Sequence, residues 1–199
     1  MAPAVPTSAV VGTTVAFSFI LLGNAITQSF MGVPALLVDF PRPGSSSPAT
    51  YEAATRHLGR QWPVFWSVGN VFFRPISTLG IFGYAYAAWS AATAAPSVGS
   101  LRGLANGNIR GAVDGGGYTW KLYALSAVCH LVTVVHSAVN MQPLNNKLDG
   151  LSDPKVSGVD ASLAEYYARR WIKLNGVRIV MPFVAGSVAL WNGLRGQTA

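Results

Sequence analysis

Charge is scarce in this chain, and its scarcity excludes the most. Only 11% of the 199 residues are Asp, Glu, Lys or Arg, against 51% hydrophobic, and the mean hydropathy is +0.36. A soluble domain carries about 25% charged residues, so the composition is that of an integral membrane protein. Cysteine is nearly absent too. Cys129 stands alone, which rules out an intrachain disulfide and any site built on paired cysteines. No positively charged n-region precedes the first apolar run, and that run exceeds the ~7–15 residues of a signal-peptide core. It reads as a retained membrane anchor. The net charge of +7 is carried by loops and helix ends. No basic stripe with interleaved aromatics is present, so the charge fits anionic headgroups and loop-charge asymmetry rather than nucleic acid.

Four long runs carry no charge at all: 1–38, 75–101, 122–146 and 179–194. They predict an all-α fold, a four-helix transmembrane bundle with up-down topology. The expected spans cover about 8–30, 70–95, 119–142 and 175–195 of a single membrane-embedded domain, 1–199. Gly32, Val33 and Pro34 should end the first helix near Phe30, because a residue before proline avoids the α region. Pro75 should open the second. Ser162 and Glu165 have capping-box spacing, so the fourth helix can extend from Ser162 to Leu194 with a kink at Pro182.

Between spans one and two, Tyr51–Trp62 predicts a short interfacial helix, with Trp62 and Trp66 as headgroup-level anchors. Gly99, Gly103, Gly107, Gly111 and Gly115 recur every four residues, a spacing read here as a loop. Ten of the 14 basic residues fall in the first and third loops and adjoining helix ends; Arg102, Arg110, Lys121 and Arg195 do not. That asymmetry puts both chain ends on the lumenal or extracellular side.

Polar side chains within such spans are expensive and by default line a cavity or meet a polar partner. They recur at i, i+3, i+4 or i+7 spacing, hence on one face of each helix. The sets are Asn24, Thr27 and Gln28; Asn70, Arg74, Ser77 and Thr78; Thr133, His136, Asn140 and Pro143; and Trp171, Asn175, Arg178 and Pro182. In an up-down bundle all four stripes fall in one leaflet and would line a polar pocket. His130, six residues before His136, lies off that face. The alternatives weighed against a site are interhelical hydrogen-bond glue for the amides and hydroxyls, snorkelling for Arg74 and Arg178, and interface anchoring for Trp171.

The third span ends in His136-Ser-Ala-Val-Asn140-Met-Gln-Pro143-Leu-Asn145-Asn146-Lys-Leu148. The fourth opens with Arg170-Trp171-Ile-Lys-Leu174-Asn175-Gly-Val-Arg178-Ile-Val-Met-Pro182. With Pro-x-Asn-x-x-Leu followed by Trp-x-x-Leu-Asn-x-x-Arg-x-x-x-Pro on a four-span layout, the chain resembles the anthrone oxygenase-like membrane family, which includes fungal noranthrone and emodin-anthrone monooxygenases.

The resemblance implies oxidation of an anthrone, an aromatic polyketide, to an anthraquinone by O2. It implies no flavin, haem or nicotinamide, with O2 as co-substrate, and no metal ligands are assigned. For that chemistry His136 is the candidate base. Arg178 and Arg74 would stabilise the enolate oxygen, Asn140 and Asn175 would orient the carbonyl or the peroxide, and Trp171 would stack on the ring plane. Asn24 and Gln28 are further substrate-binding candidates. The expected partners are the small aromatic substrate and the bilayer, in a multi-pass endomembrane setting. Two other readings use the same residues: a non-catalytic carrier of hydrophobic metabolites, and a haem or metal oxidoreductase using His130 or His136, with His57 recruited.

Overall fold

The computed structural model describes residues 7–41, 47–94, 119–155 and 162–195, and among these all regular structure is helical. Among the described residues there are four rods. We label them α1, Thr7–Leu37; α2, spanning 48–94; α3, Thr119–Gly150; and α4, Ala164–Arg195. The expected all-α, four-helix class is what the chain adopts. By length and composition, α1, α3 and α4 are able to cross a membrane, and the protein is a membrane protein. The glycine-spaced loop and residues 42–46 of the Pro/Ser-rich turn lie outside the described residues.

Proline shapes three of the rods in the same way. A π-helical turn occupies Gln28–Gly32 in α1, Gly69–Phe73 in α2 and Ser137–Met141 in α3. Each begins six residues before a proline: Pro34, Pro75 and Pro143. Proline has no N–H and its ring pushes aside the carbonyl four residues back. A wide turn resolves the clash by letting the preceding residue bond five residues back. Val33 N–H donates to the Gln28 carbonyl and Gln142 N–H to the Ser137 carbonyl.

The prolines therefore widen these helices without ending them. Val33 keeps α-region angles, φ −68° and ψ −41°, directly before Pro34. This corrects two expectations: the first helix does not stop near Phe30, and Pro75 does not open the second. The third helix runs to Gly150. The fourth starts at Ala164, well before 175, close to the longer reading from Ser162.

The helix expected over Tyr51–Trp62 is present and longer, Pro48–Val68, and it continues through its π-turn into Arg74–Ala94. Ser47 caps it, its Oγ accepting from the Thr50 N–H at 3.2 Å.

The chain divides into two compact units, each drawing on all four rods: 1–20, 76–132 and 181–199 in the first; 21–75 and 133–180 in the second. The first is packed on small residues. Ala87, Ala88, Ala185 and Ala189 are buried with Tyr84 and Tyr123, and Gly186 stands where a Cβ would be 3.0 Å from Ser18 Cβ. Such close approach is how helices associate where lipid removes the hydrophobic drive. Phe82, Trp89, Val128 and Trp191 remain more than half exposed, a surface suited to lipid.

The second unit has larger side chains in its core: Leu58, Trp62, Met141, Leu148, Leu151 and Trp171. Gly59 lets α2 meet the backbone of Leu151 and Ser152, where any Cβ would collide.

Candidate functional site

The second unit holds nearly all the polar residues singled out by spacing, and it joins several of them. Asn175, fully buried on α4, is the centre. Its Nδ2 donates to the Ala25 carbonyl at 3.0 Å and to Ser29 Oγ at 2.8 Å, both on α1. Its Oδ1 accepts from Arg178 Nη1 at 3.1 Å, one turn along α4. The carbonyl of the preceding residue, Leu174, accepts from His136 Nε2 at 2.9 Å. One turn of α4 thus ties α1 and α3 together.

These partners fix the histidine tautomer. A carbonyl only accepts, so Nε2 carries the proton and Nδ1 presents the lone pair. Asn140 Nδ2 donates to that Nδ1 at 3.1 Å. Asn140 is exposed, so this hydrogen bond lies at the surface rather than in the core. The π-turn that follows His136 carries Asn140 within it. Wide turns of this kind occur frequently at functional sites.

The guanidinium of Arg178 is part-buried. The ion pairs among the described residues are Arg56–Glu52 and Arg169–Glu165, so no carboxylate there neutralises Arg178. Its remaining N–H groups and its charge are suited to an oxygen that becomes negative during reaction.

Other candidates sit differently. Trp171 is 4% exposed; its Nε1 donates to Asn145 Oδ1 at 2.8 Å and its ring meets Trp62 edge-on at 5.5 Å. Packed in the core, it is no interface anchor. Trp62, at 1% exposure, is not an anchor either; both indoles pack in a core of residues distant in sequence, which spacing alone does not reveal. Arg74 is exposed and reaches Gln142 Oε1 at 3.5 Å. Ser77 and Thr78 belong to the first unit. Asn24 Nδ2 and Gln28 Oε1 are buried polar atoms without a hydrogen-bond partner among the described residues.

Sequence spacing missed Ser29 and the Ala25 and Leu174 carbonyls. A backbone acceptor leaves no trace in side-chain patterns, and Ser29 lies inside a π-turn where 3.6-residue spacing fails. The available signal was Pro34, which creates that turn.

His130 belongs to the first unit and is fully buried. Its Nδ1 lies 3.3 Å from the Ser77 carbonyl, so Nδ1 donates and Nε2 accepts from Ser18 Oγ at 2.9 Å. Tyr84 donates to Ser18 Oγ at 2.9 Å and lies edge-on to the imidazole. With both nitrogens committed, this histidine serves as a buried cross-tie. Among the described residues no three His, Cys, Asp or Glu side chains gather as a metal-ligand set.

Fold and site together define an all-helical membrane protein in which amide, guanidinium and imidazole groups gather around the buried Asn175. The chain belongs to the anthrone oxygenase family, whose model matches residues 62–188. The match covers parts of α2 and α4 and all of α3; α1, which supplies Ser29 and Ala25, precedes it. No curated protein and no solved structure matches the chain.

Proposed function

We propose that this protein is a multi-pass membrane oxygenase that converts an anthrone-type aromatic polyketide to an anthraquinone with O2, using neither flavin nor haem. Family membership supports an oxygenase. The observation that carries the finer reading is the Arg178 guanidinium, held by Asn175 with no carboxylate opposite it among the described residues, one turn from the carbonyl that orients His136.

The anthrone methylene is acidic because its carbanion is an aromatic enolate. Once Asn140 moves aside, His136 Nδ1 takes one methylene proton, and Arg178 stabilises the enolate oxygen. The electron-rich carbon passes an electron to O2, and recombination forms the C–O bond of a peroxide anion. The imidazolium returns its proton, giving the hydroperoxide. His136 then removes the remaining C–H proton as the O–O bond breaks. The carbonyl forms, and the departing hydroxide is protonated to water. The balance is one CH2 and one O2 to one C=O and one H2O.

The test is quinone formation by membranes containing the protein, given a panel of anthrones under oxygen. His136→Ala and Arg178→Ala are each expected to lower the rate by about 100-fold. Conversion undiminished in both, above spontaneous air oxidation, ends the reading.

One observation favours the alternative of a non-catalytic carrier: both nitrogens of His136 are hydrogen-bonded, as a structural tie requires. Gln at 136 can donate to Leu174 and accept from Asn140. A carrier therefore tolerates His136→Gln and an oxygenase does not.

A further inference from the structure

Five buried side-chain atoms have no hydrogen-bond partner among the described residues, and all five lie in the second unit: Asn24 Nδ2, Gln28 Oε1, Thr55 Oγ1, Trp62 Nε1 and Trp66 Nε1. Buried polar groups are ordinarily paired, and each exception calls for an explanation. The two indoles are the clearest cases. An indole N–H only donates and has no alternative orientation of its amide or hydroxyl to fall back on.

The placement of these atoms is ordered. Thr55, Gly59, Trp62, Trp66 and Gly69 recur at i, i+4, i+7, i+11 and i+14, so they share one face of α2. That face is turned inward: Gly59 abuts the Leu151 backbone, Trp62 is 1% exposed and meets Trp171 edge-on, and a Cβ on Gly69 would lie 3.9 Å from Gln28 Nε2. Gln28 therefore lies over the turn that follows Trp66, with its Oε1 unpaired. Trp171, by contrast, already spends its N–H on Asn145. The indole donors left over belong to α2.

Two donors one turn apart and a neighbouring acceptor describe the complement of a hydroxyl group. A phenolic oxygen accepts from an indole N–H while its own O–H donates to the amide oxygen of Gln28. We propose that Trp62, Trp66 and Gln28 form a hydroxyl-recognition patch, selecting aromatic ligands that carry a phenolic OH on a ring. The proposal rests on the substrate class assigned above. It adds the residues that choose among members of that class, and it requires no turnover.

The test is equilibrium binding to the detergent-solubilised full chain without substrate turnover. A dihydroxyanthraquinone is compared with unsubstituted anthraquinone, for the wild type and for Trp62→Phe, Trp66→Phe and Gln28→Leu. Phe keeps an aromatic ring and removes the donor with part of the ring volume, a loss that weakens both ligands alike and leaves their ratio to report the hydrogen bond.

The wild type is expected to bind the hydroxylated ligand about tenfold more tightly, and each variant to bring the ratio of the two dissociation constants down by about 3- to 10-fold. Indole 15N–1H spectra supply a second readout: two Trp N–H signals should move downfield with the hydroxylated ligand, and the signals lost in the two Phe variants should be those two. Equal affinities in the wild type, or a ratio retained in folded variants, overturns the patch. So does a spectrum in which the two signals are already bonded before ligand is added, the mark of water as the only partner. Since binding is read in place of oxidation, a protein that binds with this selectivity but forms no quinone sinks the oxygenase reading and leaves the patch standing.

Discussion

At residue 80 a glycine determines whether His130 can occupy its place. A methyl there would run into the imidazole ring, which is fully buried and pinned by Ser18 and the Ser77 carbonyl. Gly80→Ala is expected to cost about 1–3 kcal/mol through the forced shift of that ring. Gly12 lies on the exposed face of α1, and a methyl added there would meet nothing within 4 Å; Gly12→Ala removes backbone entropy and should stabilise by about 0.5–1 kcal/mol. Thermal unfolding of the two variants in detergent checks both signs, and a neutral Gly80→Ala contradicts the tight His130 node. At this scale the sequence was a partial guide. Spacing picked out His136, Asn140, Asn175 and Arg178, and the structure joins them as two hydrogen-bonded pairs anchored on adjacent residues, Leu174 and Asn175. The aromatic-belt argument put Trp62 at the headgroups, because residue type and position along a helix cannot show that two indoles meet in one core.

At the scale of the element, the repeated device is proline preceded by a π-turn. In α3 that turn starts directly after His136 and contains Asn140, so the wide geometry sets how the amide reaches Nδ1. Pro143→Ala restores an N–H and removes the reason for the wide turn. The helix should then tighten, rotating Asn140 relative to His136. The expected outcome is an equal or higher unfolding temperature together with a loss of turnover of about tenfold or more, since displacements near 1 Å at a reacting group carry penalties of that order. Unaltered turnover in a tightened helix would show that the π-turn has no part in the site. The bounds of the rods were misjudged from sequence for the same reason. Rules for proline describe α-helices that stop or kink, whereas these rods continue by changing their hydrogen-bond register.

At the scale of the molecule, the number of crossings sets where the chain ends lie. Three rods are long and apolar enough. The remaining segment, Arg74–Ala94 of α2, carries Arg74 at its start and Ser77, Thr78, Ser90 and Thr93 along its length. We expect it to cross as well, because Ser77 and Tyr84 serve the buried His130 node while Phe82 and Trp89 stay exposed on its outer face. Four crossings put the two chain ends on the same side, three on opposite sides. Reporters fused to each end and read for accessibility in sealed vesicles decide it, with a same-side result expected and the lumenal or extracellular side predicted by the basic loops.

The sequence by itself determined the solvent and the class. Sparse charge and four long, continuous apolar runs indicate a helical protein in lipid, because a run of that length satisfies its own backbone groups there by coiling into a helix. It also determined which polar residues share a helix face wherever a rod keeps 3.6-residue periodicity, outside the π-turns. The tertiary structure alone decided what those faces meet: which carbonyl accepts from His136, which amide holds Arg178, and which indole donors are left unspent. Those are distances between segments far apart in the chain, set by packing and by prolines that shift the register of each rod, and local pattern carries no term for them.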